Sequence, residues 1–219
     1  LPSLIEYDAS SACFGEQWLD LGKTYKNVIY MFSGVGCGIM INGELYRGAQ
    51  GYAGEVSVYN YKEQDLFSCS SGAPCFVKRW DMDLGILDDV KSVLLKDRTK
   101  ALEFSKVTAT EVENLDLKSI FTAGRQKNQI ALEALDRAAK RLGIKIASLV
   151  NLLNPQIVII GGGFEESGEE FLNKVRSTVR DWAFREVTTD LKIVYSQLRE
   201  NAVAMGAASL VLERVFAQL

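Results

Sequence analysis

The sequence predicts an α/β domain, and three observations carry that prediction. Gln129–Leu153 repeats apolar residues at helical spacing, and Ile157–Ile160 is a short run that is apolar throughout. Val28–Phe32 is a second apolar run, and it leads into a glycine-rich hairpin. A strand that is apolar on both faces is buried on both faces, which calls for a sheet between layers of helix. Strands stand first along the chain, and helices alternating with buried strands come after them.

Asp8 precedes ASSACFGEQWLDLG, where Ala12, Trp18, Leu19 and their neighbours recur at helical spacing. Asp8 is therefore placed to cap this helix by accepting from its first N–H groups, and a ligand role stays open beside that one. Val28–Phe32 and Gly38–Ile41 read as paired strands, and Val56–Tyr61 as a third beside them. Between the first two lies Ser33-Gly34-Val35-Gly36-Cys37-Gly38. Alternate glycines after a strand leave backbone N–H groups bare for an anion such as phosphate, with the Ser33 hydroxyl at the mouth. They also suit a hairpin that another backbone approaches closely, so both readings stand. Asn42-Gly43 between apolar runs is a strong hairpin signal, because both turn residues take positive φ. Glu55, next to Gly54 at the end of a second glycine-rich loop, is a carboxylate placed to hold a polyol.

Glu63–Asp81 has turn chemistry and two cysteines and reads as a surface excursion. From Leu84 the pattern is helical, with Ile86, Leu87, Val90, Val93 and Leu94 on one face. Lys96–Ala109 is polar and ambiguous, and Leu117–Ala123 predicts a short helix. Gln129–Leu153 is the longest helix signal, ended by Asn154-Pro155, since the residue before proline avoids the α region. Ile157–Ile160 runs into Gly161-Gly162-Gly163. Phe171–Phe184 reads as an amphipathic helix, Leu191–Tyr195 as a strand, and Ala202–Phe216 as a closing helix. In that last helix Gly206-Ala207-Ala208 offers close contact to a neighbour.

With 219 residues, 47% of them apolar, the chain can bury a proper core as one large domain or two small ones. A net charge of −3 without a basic run argues against this segment holding DNA by itself. No apolar segment approaches the ~20 residues of a membrane helix, and LPSLIEYDASS lacks signal-peptide regions, so a cytoplasmic location is expected. Cys13, Cys37, Cys69 and Cys75 are too sparse for a disulfide scaffold. The sequence contains 0 histidines, which excludes Ser-His and Cys-His triads and any metal site that needs imidazole. A general base here has to be a carboxylate, lysine, tyrosine or cysteine.

In order, EYDASSACFGE, FSGVGCGIMINGELYRG, GYAGEV, LVNLLNPQIVIIGGG and AMGAASLVLERVF resemble the motifs of the ROK family, bacterial sugar-responsive repressors and sugar kinases on the actin-like ATPase (ribonuclease H-like) fold. The resemblance covers nearly the whole chain and implies a mixed sheet with an antiparallel hairpin and helices on both faces. It puts Asp8 at the catalytic base of the kinases and Glu55 at the glutamate that bonds sugar hydroxyls, with Ser10 and Gly54 beside them. It puts Ser33, Gly34, Gly36 and Gly38 on the phosphate hairpin, and Gly161, Gly162 and Gly163 beside a nucleotide. In a kinase one carboxylate accepts the sugar-hydroxyl proton while ATP and magnesium supply the phosphoryl group.

The chain also departs from the family pattern at several positions. The family usually has asparagine before the aspartate, where this chain has Tyr7, and histidine three residues after the glutamate, where it has Val58. Of the three clustered zinc cysteines only Cys69 and Cys75 remain, and the glutamate after the last is Val77. Two thiolates without imidazole fall short of a closed tetrahedral site, so no zinc is expected, and packing or a relic loop accounts for both cysteines. Neither the Asp-x-Gly segment of the kinases' small domain nor a helix-turn-helix precedes Asp8, so residues 1–219 are expected to be the single large C-terminal domain of a longer protein. The first expectation is the sugar-binding domain of a ROK-type repressor, dimeric, meeting DNA only through an N-terminal domain. The alternative is an ATP-dependent hexose kinase.

Overall fold

The computed structural model describes residues 3–19, 24–34, 36–56 and 84–216. The chain divides into two compact units. The first contains Leu1–Val56, Ile146–Glu165 and Val179–Leu219, and the second Ser57–Lys145 and Glu166–Thr178.

The first unit is built on a five-stranded mixed sheet. Its strands are β1 (Val28–Phe32), β2 (Gly36–Ile41), β3 (Glu44–Leu45), β4 (Ile157–Gly161) and β5 (Lys192–Tyr195), in the order β3-β2-β1-β4-β5. β1 and β2 are antiparallel with Tyr30 opposite Gly38, while β1, β4 and β5 run parallel, with Tyr30 opposite Ile159. Asn42 and Gly43 join β2 to β3 as expected, both at positive φ (55° and 88°), which matches the right-handed strand twist. All five residues of β4 are buried, as an unbroken apolar run requires.

α1 (Asp8–Leu19) lies on β1 and β2 and against α8 (Ala202–Phe216), the closing helix, whose bounds match the sequence reading. The two helices cross backbone to backbone. A Cβ on Gly15 would lie 2.8 Å from the Gly206 Cα, and one on Gly206 would overlap the Ser11 carbonyl. The core of this face joins Cys13 and Phe14 of α1 to Val28, Tyr30, Met40, Ile157, Ile159 and Leu210. The alternate residues Ile29, Met31, Val158 and Ile160 are equally buried, so neither face of the sheet is bare. α7 (Arg185–Thr188) precedes β5.

The described residues of the second unit are largely helical. It holds α2 (Ile86–Leu94), α3 (Arg98–Thr108), α4 (Leu117–Arg125), α5 (Gln129–Leu153) as far as Lys145, and α6 (Glu169–Trp182) as far as Thr178. The ambiguous stretch Lys96–Ala109 is thus the helix α3. Asp97 caps it by accepting from the N–H groups of Thr99 (3.0 Å) and Lys100 (3.2 Å), and Phe104 anchors it in the core. α5 has the bounds its periodicity predicts. α6 begins at Glu169, where two carboxylates meet the positive end of the helix dipole, and ends before Phe184. Asp89 of α2 accepts from Arg137 (3.0 Å) and Arg141 (3.3 Å) of α5, and Arg141 also reaches the Leu84 carbonyl.

Several sequence expectations change. β2 begins at Gly36, two residues earlier than expected, so Gly36 and Gly38 are strand residues. Val56 is outside any strand, and the rest of Val56–Tyr61, together with Val58, Cys69, Cys75, Val77 and the excursion Glu63–Asp81, lies outside the described residues.

Candidate functional site

β1 and β4 are parallel neighbours that end together, Phe32 opposite Gly161, so the loops that leave them meet. In open α/β sheets the space beyond the carboxyl ends of parallel strands is where ligands bind. The Ser33 N–H donates to the Gly161 carbonyl (3.2 Å) and its hydroxyl to the Gly162 carbonyl (2.9 Å), which ties the two loops together. Ser33, Gly34, Gly162 and Gly163 all have positive φ (51°, 73°, 73° and 98°). A Cβ on Gly162 would collide with Ser33, whereas one on Gly163 would meet nothing within 4 Å. The exposed Gly163 N–H is bound by Glu165, whose Oε2 accepts it at 2.8 Å. Burial holds the Glu165 carboxyl above the ordinary carboxylate value, with Glu16 adding to the shift and Arg199 opposing it.

The alternate glycines do not form one bare loop. Gly36 and Gly38 face Phe32 and Tyr30 across the β1–β2 ladder, and the Cys37 N–H between them donates to the Gly54 carbonyl (2.8 Å). What excludes side chains at these positions is close approach from elsewhere. A Cβ on Gly38 would run into the Ala9 carbonyl and Cys13 of α1, one on Gly54 into the Cys37 carbonyl, and one on Gly161 into the Tyr30 hydroxyl. A Cβ on Gly36 would take the place of the Tyr7 hydroxyl.

That last contact organises the acidic part of the site. Gly36, the first residue of β2, bridges to Glu55 in an antiparallel step. Tyr7 immediately precedes Asp8, and the Asp8 carboxylate accepts from the Ala9 N–H (2.7 Å) at the start of α1. Both carboxylates are exposed and both bear on the half-buried Tyr7 phenol, with Glu55 its hydrogen-bonding partner. Burial is the larger cause and the two carboxylates the next in holding this phenol protonated well above its usual range. The loop carrying Glu55 is anchored as well: Arg47 donates to Glu6 (2.7 Å), and the Ala53 N–H donates to the Arg47 carbonyl (3.1 Å). Asp8 and Glu55, distant in sequence, thus both act on the Tyr7 phenol. Ser10, expected beside them, is buried in the first turn of α1 at 3% exposure.

Three residues that matter here are not among the expected site residues. Tyr7 stands out in sequence only as a departure from the family pattern, although a tyrosine directly before a helix-capping aspartate is a usable signal. Glu165 stands two residues after three glycines, which is another. Glu16, fully buried, accepts from the Ser196 hydroxyl (2.5 Å) and the Leu198 N–H (3.0 Å), and nothing local in the sequence marks it.

Within the helical unit a cavity of about 770 Å³ is lined by Arg125, Lys127, Glu133, Arg137, Glu170 and Lys174, among others. Its charges are largely matched in place: Lys127 pairs with Glu170, Lys174 with Asp136, and Arg137 with Asp89. None of the site residues expected from sequence lines it. Among the described residues no three His, Cys, Asp or Glu side chains are grouped to hold a metal ion.

The chain is similar to the xylose repressor of Caldicellulosiruptor bescii, 30% identical over 97% of this chain and 52% of the repressor. It is equally similar to the glucokinase of Thermotoga maritima, 30% identical over 96% of this chain and 66% of the kinase. It thus spans about half the length of the repressor relatives it matches. Among solved structures, a ROK family glucokinase from Streptomyces griseus, in complex with glucose and AMPPNP, superposes with a TM-score of 0.79 at 28% identity, covering 96% of this chain and 68% of that one. A ROK family transcriptional regulator, a homolog of the E. coli MLC protein, shares the fold with a TM-score of 0.73 at 23% identity, over 95% of this chain and 51% of that one. The α/β architecture is therefore the actin-like ATPase fold of these sugar kinases and regulators. The ROK family profile matches residues 1–214, so it leaves almost nothing of the chain outside, and the chain belongs to the ROK family.

Proposed function

We propose that this chain is the monosaccharide-binding domain of a ROK-type transcriptional regulator. The observation that carries the reading is the Tyr7 phenol, which lies against Gly36, the bridging partner of Glu55, and directly precedes Asp8 in the chain, so that two exposed carboxylates bear on one phenol within one unit. Carboxylates accept hydrogen bonds from sugar hydroxyls, and such charge-assisted bonds are among the stronger ones. The repressor relatives respond to a sugar by name, and binding without transfer suffices for a sensor. Transfer is more demanding, because a small misplacement of the reacting hydroxyl lowers the rate steeply. In this reading the effector shifts the population of conformations in a cytoplasmic homodimer, and DNA is held by an N-terminal domain of the parent protein.

Calorimetric titration with D-xylose and D-glucose tests the site. Asp8→Ala and Glu55→Gln are each expected to weaken sugar binding by ~1.5–3 kcal/mol, the worth of a hydrogen bond to a charged group. Unchanged affinity in both variants removes these residues from the site.

A second reading, an ATP-dependent hexose kinase, draws on the other end of the site. There the Ser33–Gly34 turn and Gly161–Gly163 are joined by hydrogen bonds, and Gly163 has open space beside it. Asp8 would then accept the sugar-hydroxyl proton, and bound ATP with magnesium would supply the phosphoryl group. Sugar-dependent release of ADP by the full-length product distinguishes the two: its absence beside measurable sugar binding favours the regulator.

A further inference from the structure

We propose that Tyr7 is a positioning residue of the ligand site: its hydroxyl, seated against Gly36, holds the Glu55 carboxylate in the orientation that receives a bound monosaccharide. This rests on the reading of Asp8 and Glu55 as a sugar site.

The backbone of Tyr7 is fixed on both sides. Its N–H donates to Glu6 (3.1 Å), and its carbonyl accepts from the Ser11 N–H (2.8 Å) as the first helical bond of α1. With the backbone held, the side chain reaches β2, where the hydroxyl takes the volume that any Cβ on residue 36 would occupy. The ring carbon bearing the hydroxyl would lie 3.0 Å from such a Cβ, so a glycine is needed there if the phenol is to remain. Gly36 is also the residue that bridges to Glu55. The phenol, the glycine and the carboxylate are thus in immediate succession across the end of the hairpin.

The chemistry gives this contact a direction. Glu55 is exposed, and an exposed glutamate by itself samples several rotamers, each of which must be given up when it binds a ligand. A protonated phenol beside it is a donor to one carboxylate oxygen and leaves the other oxygen for a sugar hydroxyl. Tyr7 therefore lowers the ordering cost of Glu55 through a fixed scaffold, since its backbone is bonded to the start of α1 and its hydroxyl end lies against Gly36 of β2.

Two measurements test the proposal. In calorimetric titration with D-xylose and D-glucose, Tyr7→Phe is expected to raise Kd about tenfold while leaving the thermal midpoint of the free protein unchanged. The Tyr7→Phe/Glu55→Gln double variant is expected to bind no more weakly than Glu55→Gln alone, because Tyr7 acts through Glu55. Additive losses, or full affinity in Tyr7→Phe while Glu55→Gln is impaired, overturn the role of Tyr7 and leave the sugar site standing. A wild-type protein that binds neither sugar overturns the site itself. Independently of any sugar, NMR at neutral pH with ring-labelled tyrosine, assigned through Tyr7→Phe, is expected to show the Tyr7 ring resonances shifted in Glu55→Gln relative to the wild type. Identical ring resonances in both show that the two groups are not in contact.

Discussion

Glu16 illustrates how a single side chain can join segments far apart in sequence. Its carboxylate is buried on α1, yet it serves the Ser196 hydroxyl and the Leu198 N–H just after β5. The Ser196 hydroxyl in turn accepts from the Arg199 N–H (2.9 Å), so the carboxylate organises a turn nearly the whole chain away. Glu16→Ala would strand a buried hydroxyl and an N–H, and it is expected to cost about 3 kcal/mol in urea unfolding. Glu16→Gln keeps an acceptor oxygen in place and should lose less. If the two variants unfold at the wild-type midpoint, the network is not structural. Burial and pairing of this kind depend on which elements face each other, so local pattern carries no trace of Glu16. Asp8 and Glu55, by contrast, stand in glycine-flanked or helix-initial settings that chemistry alone marks out.

At the scale of elements, caps decide where the less apolar helices begin. α4 starts at Leu117 because Asp116 accepts from the Ser119 N–H (2.8 Å) and its hydroxyl (2.5 Å). Those bonds to Ser119 hold the Asp116 carboxyl below the ordinary aspartate value. A carboxyl lowered in the folded state binds fewer protons there than when unfolded, so its stabilisation is present above the unfolded value and is lost as pH falls through the folded one. Asp116→Ala is expected to cost about 1 kcal/mol near neutral pH. The gap between wild type and variant should close as pH drops below 3.8, the ordinary value for this carboxyl. A gap independent of pH would mean that the cap does not act through its charge. α3 obeys the same rule with Asp97, and there the polar composition hid the helix because one buried side chain, Phe104, supplies its anchor. The long amphipathic α5 needed no such help: periodicity over many turns outweighs local ambiguity.

For the molecule as a whole, the apolar residues of α8 divide between a core and an open face. Leu210 is 3% exposed against α1 and the sheet, while Leu212, two residues on, is 48% exposed. Met205, Val215 and Phe216 continue that open face. Leu210→Ala is expected to cost about 2–5 kcal/mol, the range for emptying a packed leucine site. Leu212→Gln should stay within about 0.5 kcal/mol of wild type, since surface changes away from special features do little. Urea unfolding monitored by circular dichroism compares them, and equal effects at the two positions would contradict the division. No described helix is long and apolar enough to cross a membrane, so this surface is not that of a spanning segment.

The sequence by itself determined the class of the fold, the buried strand at Ile157, the hairpin turn at Asn42-Gly43 and the bounds of α5 and α8. Those features are written in composition and in periods of two and 3.6 residues, which neighbours along the chain suffice to express. Tertiary structure alone decided that Gly36 and Gly38 are strand residues emptied by Tyr7 and by helix α1, and that Ser33 locks onto the glycines after β4. It alone brought Glu55 to the Tyr7 phenol, which the chain itself sets next to Asp8. A glycine looks the same in sequence whether it admits a ligand, a helix or a phenol, and only the neighbour that arrives from elsewhere in the fold settles which.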